Sequence, residues 1–361
     1  MHKFSHLVSI CCGIALVLIL MITLVTDTNP VGLSRNILSN SQKVKKLFCL
    51  PGEMFFDGED TFFNVSNGNL KTLDFHGRCI KQEDISDRQI LWSGPDVLVL
   101  SEGSYIEIRD KDGQNVLGRQ DILENMRVLD VSKRFLLIAG EKAGKEYAAL
   151  LGKQGEVLWL KMQDGKIISG NTTSTGMFTA LAVLDEDICG KIVMVNSKGE
   201  VAWSLTREYL PLFVRVLDDN IIAITENGAF AKNDKKDLWD IDFKGIVTRG
   251  HIDEDGYISA VIAEKFSEFS KEKQYKIIEI SPQGKVLWSY VLDEKPEDIQ
   301  RIEDFIYILD ESGILILTRQ GLLKSKINIK GIKQFKVVDS SHIIVFQNKK
   351  SCLLEILEGR K

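Results

Sequence analysis

Proline and histidine are scarce here: six prolines and five histidines in 361 residues. So few prolines beside 28 glycines suit a turn-rich β protein better than a disordered one. The six cysteines, Cys11, Cys12, Cys49, Cys79, Cys189 and Cys352, include no Cys-x-x-Cys spacing, which removes zinc-ribbon and thioredoxin-type sites. No excess of positive charge exists either. A net charge of −5 and a pI near 5.7 offer no basic face, so no nucleic-acid partner is expected. Only three histidines, His76, His251 and His342, lie beyond the first six residues, far apart in sequence. A catalytic triad or His-rich metal site would need them to converge.

Long apolar runs are also missing, with one exception. Leu7 to Val25 is 19 residues without a charge, enough for one membrane-spanning helix at about 1.5 Å per residue. It ends Thr23-Leu24-Val25-Thr26-Asp27, without the small residues of a cleavage site. The reading is therefore a short cytoplasmic tail (1–6), an uncleaved transmembrane anchor (7–25) and a polar linker (26–42). Positive charge does not favour this orientation, since Arg35, Lys43, Lys45 and Lys46 follow the span and only Lys3 precedes it. A six-residue tail ahead of a first span stays inside as a rule, and a long domain crosses largely regardless of charge. The expected localisation is the plasma membrane, single-pass, with the main domain extracytoplasmic.

What the chain does have is repetition. Gly155-Glu156-Val157-Leu158-Trp159 returns as Gly199-Glu200-Val201-Ala202-Trp203 and as Gly284-Lys285-Val286-Leu287-Trp288. Lys235-Lys236-Asp237-Leu238-Trp239 keeps the spacing but not the glycine. Each glycine copy follows an apolar run, the strand–turn–strand signature of a hairpin. Similar turns centre on Gly77, Gly113, Gly155, Gly199, Lys235, Gly284, Gly321 and Gly359, at intervals of 36, 42, 44, 36, 49, 37 and 38 residues. A second series precedes them: Asp57-Gly58, Ser93-Gly94, Ser132-Lys133, Ser174-Thr175-Gly176, Asp218-Asp219, Asp253 to Gly256, Glu303-Asp304 and Asp339-Ser340. Four short strands per unit of about 40 residues describe a β-propeller blade. The fold class is all-β, an eight-bladed β-propeller over residues 43–361.

The ends of that region complete one blade. Ser351–Leu357 is a third strand with its turn at Gly359 and no fourth strand after it, while Lys43–Leu50 is a strand without its first three. Joining strand 43–50 to strand 351–357 closes the ring and removes an unpaired edge. Antiparallel pairing brings Cys49 and Cys352 roughly opposite, at about 4.5–5.5 Å between Cα atoms, within disulfide reach. Two free thiols in neighbouring strands are the alternative, and a one-residue slip would separate them.

The stretch Ala149 to Trp159 resembles the pyrroloquinoline-quinone-type (PQQ-like) repeat of quinoprotein alcohol-dehydrogenase-like propellers, whose usual blade number is eight. With the anchor, the whole is similar to uncharacterised single-pass propeller proteins of Gram-positive bacteria. The resemblance implies either an enzyme or a non-catalytic scaffold, including a bacterial envelope-assembly propeller. The enzymes of the family bind their quinone beside adjacent disulfide-bonded cysteines. Here the only adjacent pair, Cys11-Cys12, lies in the apolar run, and no haem Cys-x-x-Cys-His exists, so no cofactor is expected.

The repeat residues Gly155, Trp159, Gly199, Trp203, Trp239, Gly284 and Trp288 read as inter-blade packing, with ligand stacking by the tryptophans as the alternative. Asp253-Glu254-Asp255-Gly256 has part of a calcium loop but lacks its downstream glutamate at the required spacing, and reads as a polar turn. First and third connections within a blade share one rim; second connections and inter-blade steps share the other. The second set reads as variable: Gly140 to Glu146, Asp185 to Cys189, Glu264 to Gln274, Gln82 to Arg88 and Asp293 to Asp298. Phe266 and Phe269, in the longest, are candidate contacts for a protein partner. The functional expectation is a non-enzymatic, membrane-anchored interaction or envelope-assembly module. The alternative is a propeller enzyme or small-ligand sensor using the central funnel.

Overall fold

The computed structural model describes residues 42–56, 61–85, 87–94, 97–265 and 273–357. The proposed tail, anchor and most of the linker, the turns at Asp57-Gly58 and Gly359, and both Phe266 and Phe269 lie outside these residues. Among the described residues, no helix is long and apolar enough to cross a membrane.

Thirty-two strands form eight four-stranded antiparallel sheets. The first strand, β1 (Val44–Pro51), belongs to the last blade. Blade 1 is β2 (Glu53–Phe56), β3 (Phe62–Ser66), β4 (Asn69–Leu73) and β5 (Cys79–Asp84). Blade 2 is β6 (Gln89–Ser93), β7 (Val97–Glu102), β8 (Tyr105–Asp110) and β9 (Val116–Asp121). Blade 3 is β10 (Glu124–Val131), β11 (Phe135–Lys142), β12 (Lys145–Gly152) and β13 (Val157–Met162). Blade 4 is β14 (Lys166–Thr172), β15 (Phe178–Leu184), β16 (Gly190–Asn196) and β17 (Val201–Arg207). Blade 5 is β18 (Pro211–Leu217), β19 (Asn220–Thr225), β20 (Gly228–Lys232) and β21 (Asp237–Asp242). Blade 6 is β22 (Ile246–Ile252), β23 (Ile258–Lys265), β24 (Lys273–Ile280) and β25 (Val286–Leu292). Blade 7 is β26 (Asp298–Ile302), β27 (Phe305–Asp310), β28 (Gly313–Thr318) and β29 (Leu323–Ile327). Blade 8 is β30 (Gln334–Val337), β31 (His342–Gln347) and β32 (Lys350–Ile356), with β1 as its outer strand.

The residue pattern explains the layering. Middle strands such as β7 (Val-Leu-Val-Leu) and β11 (Leu-Leu-Ile-Ala) are buried on both faces and apolar throughout, because a neighbouring blade covers each face. Outer strands meet solvent and carry mixed residues, as in β21, Asp-Leu-Trp-Asp-Ile-Asp. The core is a series of apolar clusters, several bridging two neighbouring blades.

The turn into each outer strand has one recurring design. In blade 4, Gly199 N donates to Asn196 O at 3.0 Å, and Gly199 sits at φ +81°, a left-handed conformation that glycine adopts without penalty. Blade 5 lacks the glycine because its loop is shorter. Asn233 N closes directly on Lys236 O at 3.1 Å, and none of residues 233–236 needs a positive φ. Just past this turn the outer strands of blades 1 to 7 have a β-bulge, and β1, which no such turn precedes, has one at Leu47; the bulge leaves one residue unpaired and increases the local twist.

Blade 8 is closed by the two ends of the propeller region. β1 pairs antiparallel with β32, Cys49 lies opposite Cys352, and the two cysteines form a disulfide with Cα atoms 4.1 Å apart. Two of the loops expected to be variable are shorter than the sequence suggests. Lys142 pairs with Lys145, leaving only Ala143-Gly144 as the turn, and Lys265 pairs with Lys273. Both hairpins run past the apolar layer, where polar residues hide the strand pattern but the backbone ladder continues.

Candidate functional site

The repeated tryptophans join blades. Trp159, on β13, packs over Gly199 of blade 4, where an added Cβ would stand 2.7 Å from the Trp159 Cβ. Trp239 covers Gly284 and donates its indole N–H to Pro282 O at 2.8 Å. Trp288 covers Gly321 and donates to Arg319 O at 2.8 Å. Trp203 joins the apolar cluster shared by blades 4 and 5. Phe48 takes the same register position in blade 8 and covers Gly77 of blade 1. In blade 2 that position is Gly118, whose backbone lies against Gly155. The residues that identify the repeat are thus occupied in holding blade to blade.

Buried ions also sit at blade junctions. Arg301, in blade 7, pairs with Glu279 of blade 6 and lies 3.4 Å from Asp253; Ser259 donates to Glu279 at 2.6 Å. Burial pushes the Glu279 carboxyl up, against the pull of Ser259 and Arg301. The neighbouring His251 has its pKa lowered by burial. Arg109 bonds Glu107 and Glu83 between blades 1 and 2; burial opposes its charge, but the two carboxylates outweigh it and hold its pKa up. Asp130 accepts from the Thr172 N–H and from Asn171, both at 2.9 Å; burial raises its pKa despite these bonds.

The donor set fits neither the quinone site of the enzymes that the repeat resembles nor a calcium loop. The four cysteines of the described residues are Cys49 and Cys352, which are bonded, and Cys79 and Cys189, which are not adjacent to another cysteine. Asp253 spends one carboxylate oxygen on the N–H groups of Asp255 (3.0 Å) and Tyr257 (2.8 Å), and the other faces Arg301. Among the described residues no group of three His, Cys, Asp or Glu side chains is set to hold a metal. His76, His251 and His342 fall in blades 1, 6 and 8; His342 Nδ1 is bonded to Asp339 at 3.0 Å.

Two features remain free. The first is on the flank. The bulge residue projects to solvent in blades 1 to 7, with Ile80, Leu117, Leu158, Leu238 and Leu287 at 39–60% exposure, whereas Leu47 of β1 packs on the core. Val116, Val157, Val201 and Val286, one residue earlier, are also exposed. The result is an apolar belt at equivalent positions around one rim. It extends furthest along β13, where Leu158, Leu160 and Met162 are exposed and Lys161 is the only charge. Exposed outer edges are normally guarded by charge, as by the three aspartates of β21; β13 has Lys161 alone.

The second is in the wall of the central channel. The innermost strands contact one another in sequence from β6 through β10, β14, β18, β22 and β26 to β30. β2 packs instead on β31 and β32. A cleft of about 350 Å³ opens there, with Met54, Phe56, Phe335 and Ile344 deep in it and Glu53, Trp92, Asp298, Gln300, Gln334 and Lys336 among the rest of its lining. None of these was singled out from sequence, and no spacing signal could have found them.

No family model matches this chain. No curated protein matches it either. Solved structures do resemble it. BamB from Moraxella catarrhalis is 11% identical with a TM-score of 0.54, over 87% of this chain and 100% of that one. The WD40 domain of SCAP from fission yeast is 8% identical with a TM-score of 0.55, over 87% and 98%. BBS1N, solved in complex with ARL6DN, is 9% identical with a TM-score of 0.51, over 89% and 99%. At these identities the likeness is one of fold. The chain is an eight-bladed β-propeller of the broad kind that includes BamB and WD40 domains.

Proposed function

We propose that this is a non-catalytic scaffold of the PQQ-like-repeat kind, anchored by residues 7–25 and displayed outside the plasma membrane, that holds a protein partner against its flank. The observation that carries the reading is the apolar belt, and above all the outer strand β13, whose single charge is Lys161. A rigid propeller that leaves such a strip uncovered has the form of a docking platform. Solved likenesses support it: BBS1N is a propeller seen in complex with another protein. The Cys49–Cys352 bridge supports an oxidising, extracytoplasmic compartment, since such bonds are reduced in the cytosol.

Photo-crosslinking in intact cells tests this. A crosslinking residue at Leu160 or Met162 is expected to give one discrete adduct with a second protein. The same residue at Asp240, on the acidic strand β21, is expected to give none. Equal labelling from both strands, or no adduct from β13, would overturn the reading. Protease added to wall-stripped cells should digest the propeller without lysis.

A further inference from the structure

The channel-wall cleft lies apart from the flank. Its polar lining is largely committed already. Asp298 accepts the Ile299 N–H at 2.8 Å and, at 3.4 Å, an N–H of Gln300. Gln300 in turn donates to Phe335 O at 2.6 Å and accepts the Val337 N–H at 3.0 Å. Ser351 is bonded to Gly52 O at 2.8 Å. Lys336 is different. Its ammonium has no hydrogen bond or ion pair among the described residues, and stands 6.0 Å from the centre of the Trp92 ring.

The Lys336 side chain is exposed to the bore, and the strands that line the cleft desolvate it only in part, which lowers its pKa. Asp298 attracts it, but from beyond ion-pair distance. An ammonium so placed has three donors and no acceptor, and gains more from a counter-ion than a freely solvated lysine would. Glu53 is the competing charge. It stands at the start of β2 and, like Lys336, is exposed to the bore; a bound carboxylate must therefore seat on the Lys336 side of the cleft, beside Trp92.

The geometry points to a binding site for a small amphipathic carboxylate, its apolar body in the cleft between blades 8 and 1 and its carboxylate on Lys336. About 350 Å³ is at the lower end of ligand-pocket volumes. That suits one ring or a short aliphatic chain rather than a large cofactor. The apolar depth takes the body, Trp92 offers a face beside the charge, and the ammonium fixes orientation. A site of this form discriminates acids from their neutral analogues, because the acid makes a charge-assisted pair with the ammonium and the amide cannot.

Calorimetry on the purified full-length chain tests this with 4-phenylbutyrate and octanoate, which separate aromatic from aliphatic bodies. At least one is expected to bind saturably, and its amide to bind about tenfold more weakly or worse. Lys336→Gln should weaken the acid by a similar factor with unchanged melting, and Lys336→Arg should restore most of it. Reductive methylation of the unmodified protein gives a readout free of mutation: the acid should slow labelling of Lys336 but not of Lys43. Equal binding of acid and amide, tighter binding of 4-phenylbutylamine, or labelling of Lys336 unaffected by either acid would each overturn the assignment. So would the absence of saturable binding by both acids.

Discussion

Trp288 covers Gly321 of the next blade, and its indole N–H donates to the carbonyl of Arg319, two residues before that glycine, at 2.8 Å. One side chain thus both packs on and hydrogen-bonds the turn of its neighbour. The glycine serves two purposes here: a left-handed φ of +75°, and room for the ring.

These purposes can be separated. Gly103 also has a positive φ, +60°, but an added Cβ there meets nothing within 4 Å. Gly103→Ala should therefore cost only the left-handed penalty, about 1–2 kcal/mol. At Gly321 the new Cβ would stand 2.4 Å from Trp288 Cδ2, so Gly321→Ala should cost clearly more. Denaturant melts of the two variants decide it, and equal losses would show that the ring contact is unimportant.

Closure should dominate the stability of the whole ring. The Cys49–Cys352 bond spans 303 residues, and the chain-entropy argument assigns such a loop on the order of 5 kcal/mol. Cys352→Ser, or reduction of the parent, should lower the denaturation midpoint strongly. Removing residues 44–51 should do worse, because it also exposes the edge of β32. A truncated chain that melts like the parent would sink the idea.

Arg301 and Glu279 are expected to behave as a buried pair. Arg301→Met strands a carboxylate that is 1% exposed, at a cost of about 3–5 kcal/mol. Adding Glu279→Gln to that variant should recover much of the loss. A double-mutant cycle showing simple additivity would mean that the two groups do not interact.

His251 gives the propeller an acid-sensitive component. Burial lowers its folded pKa below the unfolded value of about 6.5. Above that pH neither state binds the proton, and no stability is at stake. As the pH falls below about 6.5, the unfolded chain takes up a proton that the folded one refuses. Stability therefore drops until the folded pKa is passed. Glu279, Asp130 and Asp298 have raised values and work in the opposite sense. The measurement is thus the difference between parent and His251→Gln across pH 7 to 5, and parallel profiles would refute the assignment.

Blade boundaries were legible because the outer strand of each of blades 1 to 7 is announced by a tight turn, and tight turns need distinctive residues. Gly77, Gly113, Gly155, Gly199, Gly284 and Gly321 all lie between the third and fourth strands of their blades, and Lys235 marks the same place by spacing alone. The pairing of the chain ends was legible because an incomplete blade at each end implies its complement. Phe48 was not recognised as the counterpart of the tryptophans. It has no turn before it in the chain, since its strand reaches blade 8 from the opposite end of the sequence. The cleft was invisible for a related reason. It arises where β2 leans on β31 and β32, and contacts between residues nearly 300 positions apart have no local signature. Lys336 and Trp92 look like ordinary strand residues until the ring closes.

The placement of β1 also sets how the propeller bears a mechanical load. The chain arrives at β1 from the N-terminal side, so any pull through residue 42 acts along that strand and shears its hydrogen bonds to β32. Only Val44 to Phe48 can peel away before tension reaches Cys49. There it passes through a covalent bond into Cys352, in a strand held on its other side by β31. The outer strand of blade 8 is thereby covalently secured against being drawn out of the ring.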